Sequence, residues 1–474
     1  MALTRSGSAE AEEPRLPLAR AEWACVAFAV AVAHGFLVHE WLYPSAWDAA
    51  QYLNMAREIA ARGLFSPVEG SEMRTYGYPF LLSFVVRAAN ATGLSRVVLL
   101  FALQFVAYIA AALVLRRALA PTSPTAARVA FCWLIVNGYV LIYVPESLTE
   151  SVSLTLLVLA AGCWIRLWRD GLAVWPVLAG SLIAGFALMV RPANAFLVAA
   201  WAFGLALVWF RQRPSFGRAA RLAALAAVGF ALPVAPQVAI NATYHGRATP
   251  FVTADVGLLQ QSLGVQYIKY ATGLPPVPEP PVPYYNPLLP GTTFDDNAPL
   301  AWYATYPLRG IATIALHTFN LTDQDLLFTY SRDLRPWYRV PLGIVNHAAV
   351  ALGLVGLVLL GRGLRDATAP WRRDPWLVLV ALIGANWAVY AWTAVEMRFG
   401  AVLLLVLFPL AGFAVLDVAA RGARSLRLLS LGTAAYVVFA LALSGWIREQ
   451  SPLIRYYERA AANEMHERLT LPTT

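Results

Sequence analysis

Residues 97–115 read VVLLFALQFVAYIAAALVL, and this stretch decides the class of fold. It contains no charged side chain and approaches the roughly 20 apolar residues with which a helix crosses a bilayer core. Two arginines, Arg116 and Arg117, follow it directly, as is typical of the cytoplasmic end of a span. The stretch therefore predicts a transmembrane helix.

Similar stretches recur along most of the chain. We predict spans at residues 23–42, 97–115, 126–143, 148–168, 174–190, 192–210, 219–240, 341–361, 375–394, 399–417 and 426–446, and a further apolar segment at 76–91. Hydrophobic residues make up 59% of the 474 residues and charged residues only 13%, about half the charged share of a soluble domain. We therefore expect an all-α polytopic integral membrane protein with about 11–13 transmembrane helices, and one soluble core of this size is excluded.

The net charge of +9 raises the question of nucleic-acid binding. The arginines lie in short loops between apolar spans, however, where the positive-inside rule places them. We therefore expect membrane lipid and no nucleic acid as the partner of this surface. The three cysteines lie inside apolar spans, which predicts small packing residues without a disulfide or a metal.

Basic clusters occupy alternate loops and predict the topology. They are Arg116, Arg117 and Arg128; Arg166 and Arg169; Arg211, Arg213, Arg218 and Arg221; Arg362, Arg365, Arg372 and Arg373; and Arg421, Arg424 and Arg427. These loops should face the cytoplasm. This topology requires that residues 43–96 make no net crossing of the membrane. Segment 76–91 would then either dip into the membrane and return or lie in the interface. The alternative is that one of the predicted spans is divided wrongly.

The predicted topology divides the chain into five segments. They are a cytoplasmic N-terminal tail at 1–22, a transmembrane module at 23–240 that contains a first external loop at 43–75, a long external loop at 241–340, C-terminal transmembrane helices at 341–446, and an external interfacial tail at 447–474. We expect interfacial helices in the two external loops. In the first loop, Ala49, Tyr52, Leu53, Ala56 and Ile59 fall at helical spacing, which indicates an amphipathic helix.

Several ionisable residues fall near the predicted external ends of the spans. A charge beside a membrane span costs free energy, so its presence there suggests a function. These residues are Asp48, Arg74, Glu146, Glu150, Arg191, Glu396 and Arg398. Their convergence predicts a cleft that handles an anion at the outer interface. The alternative is structural: the glutamates and Arg398 would cap helices or pair with each other, and Asp48 would serve as the N-cap of the first-loop helix.

Arg74 precedes Tyr76-Gly77-Tyr78-Pro79, where the chain turns back towards the membrane. This position should bring Arg74 to the depth of lipid headgroups. A guanidinium matches a phosphate in charge and in forked geometry, so Arg74 is a candidate to bind a lipid phosphate.

Taken in order, these motifs resemble the GT-C superfamily of polyprenyl-phosphate-sugar-dependent glycosyltransferases, especially its protein-mannosyltransferase and aminoarabinose-transferase-like branch. The stretches that carry the resemblance are Asp48-Ala49-Ala50-Gln51-Tyr52; Arg74-Thr75-Tyr76-Gly77-Tyr78-Pro79; Glu146-Ser147-Leu148-Thr149-Glu150; Gly185-Phe186-Ala187-Leu188-Met189-Val190-Arg191-Pro192; Asn241-Ala242-Thr243-Tyr244-His245-Gly246-Arg247; and Glu396-Met397-Arg398-Phe399. Each stretch is weak by itself, and by their order and spacing the resemblance covers residues 23 to about 417.

The resemblance implies a GT-C fold with a seven-span catalytic module and the inverting transfer of a monosaccharide from a polyprenyl-phosphate-linked donor to a glycan, lipid or protein acceptor. Asp48 would be the catalytic base. The donor phosphate would be bound by Arg74, Arg191, Arg398 and Lys269, although a solvated loop lysine is the simpler interpretation of Lys269. Substrate-binding positions would be Gln51, Tyr52, Tyr76, Tyr78, Glu150 and Glu396. The implied location is a bacterial inner or plasma membrane, with the active site facing the periplasm or exterior.

The family's acidic motif often carries two acidic residues, whereas Asp48 has no acidic neighbour beside it. No cofactor is therefore assigned, and a divalent cation stays open, with Glu58 and Glu150 as substitutes for the second acid. Asp323-Gln324-Asp325 matches the short acidic motif that binds a metal and a nucleotide sugar in soluble glycosyltransferases. A motif this short often occurs by chance, so we assign it no function. Two other functions fit the spans: a transporter or flippase of lipid-linked glycans, and a glycan polymerase or ligase that uses lipid-pyrophosphate donors.

Overall fold

The computed structural model describes residues 17–42, 47–271, 282–324, 339–365 and 370–453. Within these residues, eight helices are long and apolar enough to cross a membrane, and three shorter apolar helices lie at Pro124–Ile135, Val174–Val190 and Asp374–Tyr390. The protein is therefore a mostly helical integral membrane protein. Most of the N-terminal tail, most of the Pro-rich run 275–283, Asp325 and the tail from 454 fall outside the described residues.

The helices follow the predicted order. They are α1 (Arg20–Leu42), α2 (Asp48–Arg62), α3 (Gly77–Thr92), α4 (Arg96–Leu119), α5 (Pro124–Ile135), α6 (Gly138–Leu141), α7 (Thr149–Asp170), α8 (Val174–Val190), α9 (Ala195–Gln212), α10 (Phe216–His245), α11 (Val256–Gln266), α12 (Pro299–Thr305), α13 (Pro307–Asn320), α14 (Arg339–Arg365), α15 (Pro370–Tyr390), α16 (Ala401–Ala420) and α17 (Ala423–Arg448).

The predicted span 126–143 is not one helix. Helix α5 ends at Ile135, and the side chain of Asn137 accepts a hydrogen bond from the backbone N–H of Tyr139, which starts the short helix α6. The chain from Tyr139 to Glu150 is buried throughout. Irregular backbone at membrane depth needs such burial and internal partners. Gln104 supplies them, because its side-chain amide donates to the carbonyls of Val144 and Glu146.

Helices α2 and α3 form a hairpin on one side of the bundle. The apolar face predicted for α2 is present, and it is buried in the protein rather than turned to lipid. The Arg87 side chain of α3 donates to the carbonyls of Ile59 and Ala60 at the end of α2. Helix α3 is not among the helices long enough to cross. This packing is the one that the interpretation without a net crossing requires.

The long loop 241–340 contains strands as well as helices, so the expectation of an all-α fold was incomplete. Strands β1 (Tyr267–Ala271) and β2 (Val282–Tyr285) pair antiparallel, and β3 (Val395–Glu396), from the distant turn before α16, pairs parallel with β1. The order in the sheet is β2-β1-β3. A two-residue strand carries no periodicity that a sequence could reveal, and only the contact between loops makes it a strand.

The predicted loops group at the two ends of the bundle. At one end, which we call the arginine end, Arg116 binds Glu22 at 2.5 Å, Arg169 donates to the carbonyl of Ala118, and Arg211 binds Asp374 at 2.7 Å. At the opposite end, which we call the site end, the first and the long loop contact each other. Ser71 there lies 3.1 Å from the imidazole of His245.

Candidate functional site

Six of the predicted charged residues meet at the site end, although they come from five distant parts of the chain. Asp48 begins α2, Arg74 lies in the turn before α3, Glu150 lies in the first turn of α7, Arg191 follows α8, and Glu396 and Arg398 lie between α15 and α16. Together they place three carboxylates among three guanidinium groups. The predicted convergence of these charges on one face is therefore present.

Asp48 is held by two arginines. Its Oδ1 accepts from Nη2 of Arg74, and its Oδ2 accepts from Nη2 of Arg398 at 2.6 Å. Arg74 also donates to the side-chain oxygen of Gln51, at 3.2 Å from Nε and 3.0 Å from Nη2. Asp48 is not the N-cap of α2, because the cap position is Trp47 and no side chain caps the helix. The interpretation of Asp48 as a helix cap alone was wrong.

The other two carboxylates of the cluster each accept a hydrogen bond from one arginine. Glu396 accepts from Nε of Arg398 at 2.6 Å, and Glu150 accepts from Nη1 of Arg191 at 2.6 Å. Glu150 also lies 3.6 Å from Nε of Arg398. The side chains of Glu396 and Glu150 are only 1% and 3% exposed, whereas that of Asp48 is 23% exposed. Asp48 is therefore the carboxylate of this cluster that solvent and a ligand can reach.

Aromatic rings pack against the arginines of the cluster. The guanidinium carbons of Arg191 and Arg398 lie 5.0 and 5.9 Å from the ring centre of Phe399, within the distance of a cation–π interaction. Phe399 in turn stacks on Tyr390, with ring centres 4.7 Å apart. Arg74 lies over the ring of Tyr52 at 5.2 Å. These rings limit the arginine side chains to a narrow set of positions.

Five residues of the cluster line a cavity of about 780 Å³. Asp48, Arg74, Arg191, Glu396 and Arg398 contribute to its lining. Most of the other lining residues are apolar or aromatic; among them are Trp47, Val256, Leu259, Leu263, Val389 and Trp392. The cavity therefore fits an amphiphile that has an anionic head and an apolar remainder, a combination that an apolar pocket with a few polar groups is built to orient.

Asp48 is ionised at any physiological pH. Burial raises the pKa of its carboxyl, but the opposite effect of the Arg398 and Arg74 guanidiniums is larger and lowers that pKa to about 2. A carboxylate in this state is a strong partner for arginine and a weak acceptor for a proton. Any role as a general base therefore requires that at least one arginine moves to another anion.

Two glycines allow the close approaches that build the site. A Cβ on Gly77 would lie 2.5 Å from the backbone carbonyl carbon of Met189, so glycine lets the start of α3 reach the end of α8, beside Arg191. A Cβ on Gly400 would lie 1.6 Å from the carbonyl oxygen of Leu321. Glycine there lets the Arg398 turn pack against the long loop. Any larger residue at either position would push the two segments apart.

Five predicted site residues do not line the cavity: Gln51 and Glu150 bind arginines that do, whereas Lys269, Tyr76 and Tyr78 have other partners. Lys269 is 1% exposed and binds Asp323 at 3.1 Å, so neither phosphate binding nor a solvated position describes it. Its neighbour Tyr270 in strand β1 lines the cavity instead, because successive side chains of a strand point to opposite faces. Tyr76 donates to the carbonyl of Pro233, and Tyr78 donates to that of Glu146. Both tyrosines are buried and have structural roles here.

Sequence reasoning did not select the aromatic residues Tyr270, Tyr390 and Phe399 as site residues, although Phe399 stands in the quoted stretch Glu396-Met397-Arg398-Phe399. Phe399 stands next to Arg398 and could have been found from that adjacency. Tyr270 and Tyr390 carry no such signal, since they lie in strand β1 and at the end of α15 and meet only in the folded protein.

The site does not fit a divalent cation. Within the part of the chain that the structure describes, no group of three His, Cys, Asp or Glu residues could hold a metal ion. The carboxylates of the cluster alternate with guanidiniums, and a cation would have to displace Arg74 or Arg398 from Asp48. Glu58, a substitute for the second acid, pairs with Arg62 on the exposed face of α2.

No protein-family model matches this chain, and no curated protein sequence does so either. The function must therefore be argued from the site itself.

Proposed function

We propose that this protein is a membrane glycosyltransferase of the GT-C type that moves a monosaccharide from a polyprenyl-phosphate donor to an acceptor hydroxyl or amine on the non-cytoplasmic side of the membrane. The observation that carries the proposal is the position of Asp48 among three arginines, in a cavity whose other lining residues are mostly apolar or aromatic. A phosphate that is attached to a long apolar chain matches both the charged and the apolar lining of this cavity.

The arginines suit a phosphate rather than a point charge. Arg74 and Arg398 each donate one Nη2–H to the Asp48 carboxylate, to different oxygens, and guanidinium N–H groups bind phosphate oxygens in the same charge-assisted way. Arg191 adds a third positive charge to the lining of the cavity. These groups would stabilise the charge that develops on the phosphate when the sugar leaves, which is the type of contribution that is usually largest in catalysis.

The reaction follows as a single displacement. The acceptor oxygen attacks the anomeric carbon of the sugar, and the bond from that carbon to the phosphate oxygen breaks with its electron pair on the phosphate. The proton of the acceptor passes to the carboxylate of Asp48, which is the cavity carboxylate with the greatest exposure. One displacement inverts the anomeric configuration. The products are the glycosylated acceptor and polyprenyl phosphate.

A donor panel tests this function. Purified protein in lipid is offered polyprenyl-monophosphate sugars and polyprenyl-pyrophosphate sugars, and released polyprenyl phosphate or pyrophosphate is measured. We expect release from at least one monophosphate donor. Release from pyrophosphate donors alone would indicate a polymerase or ligase. Movement of the intact donor across liposomes without release would indicate a flippase.

The same assay tests the assignment of Arg74. Replacing Arg74 by Lys keeps the charge but removes the fork, so donor affinity should fall by about tenfold or more. The matched control is Arg62→Lys, because Arg62 lies on the exposed face of α2, paired with Glu58. Unchanged donor affinity in Arg74→Lys, and likewise in Arg74→Ala, would remove Arg74 from the phosphate site.

A further inference from the structure

The carboxylate of Asp48 occupies the place in the cluster that suits a phosphate. Arg74 donates to one carboxylate oxygen and Arg398 donates to the other. A phosphate group likewise offers two oxygens to two guanidiniums. The hydrogen atoms that would bind the donor phosphate are therefore the ones that bind Asp48, and both anions cannot have all of them at once.

The other contacts of the arginines show which carboxylate can leave. Arg398 keeps its Nε on Glu396 and Arg191 keeps its Nη1 on Glu150, and both of these glutamates are almost fully buried. Their charges hold the two guanidiniums in place whether or not Asp48 is bound. Asp48, in contrast, is 23% exposed and faces the cavity.

We propose that Asp48 is a built-in competitor of the substrate: its carboxylate holds the anion position between Arg74 and Arg398, and a lipid phosphate displaces it by taking over those two guanidiniums. The inference rests on the proposed function and deepens it. Displacement frees the carboxylate to accept the proton of the acceptor, so the base becomes active only when a donor phosphate is in place. After transfer, Asp48 releases the proton to water, and the return of its carboxylate to the arginines helps to expel the polyprenyl phosphate.

Competition predicts that removing Asp48 strengthens the binding of the product-like anion. Binding of farnesyl phosphate, of farnesol and of inorganic phosphate is measured on the full-length protein and on Asp48→Ala and Asp48→Asn. We expect farnesyl phosphate to bind to Asp48→Ala at least about tenfold more tightly than to the unaltered protein. In the variant it no longer has to break the hydrogen bonds between the Asp48 carboxylate and the two guanidiniums. Inorganic phosphate should gain by a similar factor, because the competition concerns the head group, and farnesol should gain nothing.

The matched control is Glu58→Gln, which removes a carboxylate from the same helix outside the cavity and should leave all three affinities unchanged. If the unaltered protein prefers farnesyl phosphate to farnesol and the Asp48 variants bind it no more tightly, the competition is refuted and the phosphate site stands. If neither form prefers farnesyl phosphate to farnesol, the proposed function fails as well. A gain that farnesol shares would also refute competition.

A measurement on the unaltered protein covers the case in which the Asp48 variants do not fold. A water-soluble carbodiimide with an amine nucleophile modifies carboxyl groups, and a carboxylate between two guanidiniums resists it. Farnesyl phosphate should increase the labelling of Asp48, as measured by mass spectrometry of the α2 peptide, and farnesol should not. Glu58 on the same peptide serves as the internal reference. Unchanged or reduced labelling of Asp48 would overturn the proposal.

Discussion

Replacing Arg398 by Ala should destabilise the protein more than any other single loss from the cluster. Arg398 binds Asp48 and Glu396 at 2.6 Å each and lies 3.6 Å from Glu150, and its side chain is only 10% exposed. Asp48 keeps Arg74 and Glu150 keeps Arg191 in the variant, whereas Glu396, whose side chain is 1% exposed, loses a charged partner at 2.6 Å. Breaking a buried ion pair by removing one partner costs about 3–5 kcal/mol.

The cost should depend on the charge of Glu396. In the double variant Arg398→Ala/Glu396→Gln the buried carboxylate that lost Arg398 is replaced by a neutral amide, so we expect part of the stability to return. The cycle of single and double variants should give a coupling energy of about 1–3 kcal/mol. The measurement is equilibrium unfolding in mixed micelles, followed by tryptophan fluorescence.

Arg421→Ala is the control for this experiment. Arg421 pairs with Asp417 one helical turn away, and its side chain is 53% exposed, so its loss should cost less than about 1 kcal/mol. If Arg398→Ala lowers the free energy of unfolding no more than Arg421→Ala does, the charged cluster is hydrated like a surface ion pair. That result would refute a desolvated phosphate site.

Four further predictions concern the catalytic base, Lys269, Gly77 and the membrane topology. Asp48→Asn should bind donor and turn over at least about 100-fold slower, because the amide cannot accept the proton; near-normal turnover would exclude Asp48 as the base. Lys269→Met should lower the stability by about 3–5 kcal/mol, because Asp323 loses a buried partner, yet leave donor affinity unchanged; a loss of donor affinity at full stability would return Lys269 to the site. Gly77→Ala should cost about 1–3 kcal/mol through the contact with the end of α8, whereas Gly432→Ala, with open space around it, should cost nothing, and equal effects would contradict the packing argument. Cysteines at positions 51 and 290, introduced into a cysteine-free chain, should both react with an impermeant reagent in spheroplasts while one at position 117 should not; labelling of only one of the first two would refute the topology.

The amino-acid sequence by itself determined the class of fold. Apolar stretches of membrane-spanning length are a local property, because each helix satisfies its own backbone hydrogen bonds. The alternating arginine loops likewise grouped the connections into two sets, and these sets lie at opposite ends of the bundle. Asp48, Arg74, Arg191 and Arg398 could be selected for a related reason: a charge beside a membrane span is costly, so it stands out in the sequence.

Tertiary structure decided which charges pair and which residues face the cavity. Asp48 and Arg398 are bonded to each other although they lie at opposite ends of the chain, and no local pattern encodes such a contact. Lys269 was assigned to the wrong role because the choice between Lys269 and Tyr270 depends on which face of strand β1 meets the cavity. Strand β1 pairs with β3 in a register that puts Tyr270 opposite Glu396, and both of these residues line the cavity. Local sequence thus specified the helices and the charges, and long-range packing specified the site that they form.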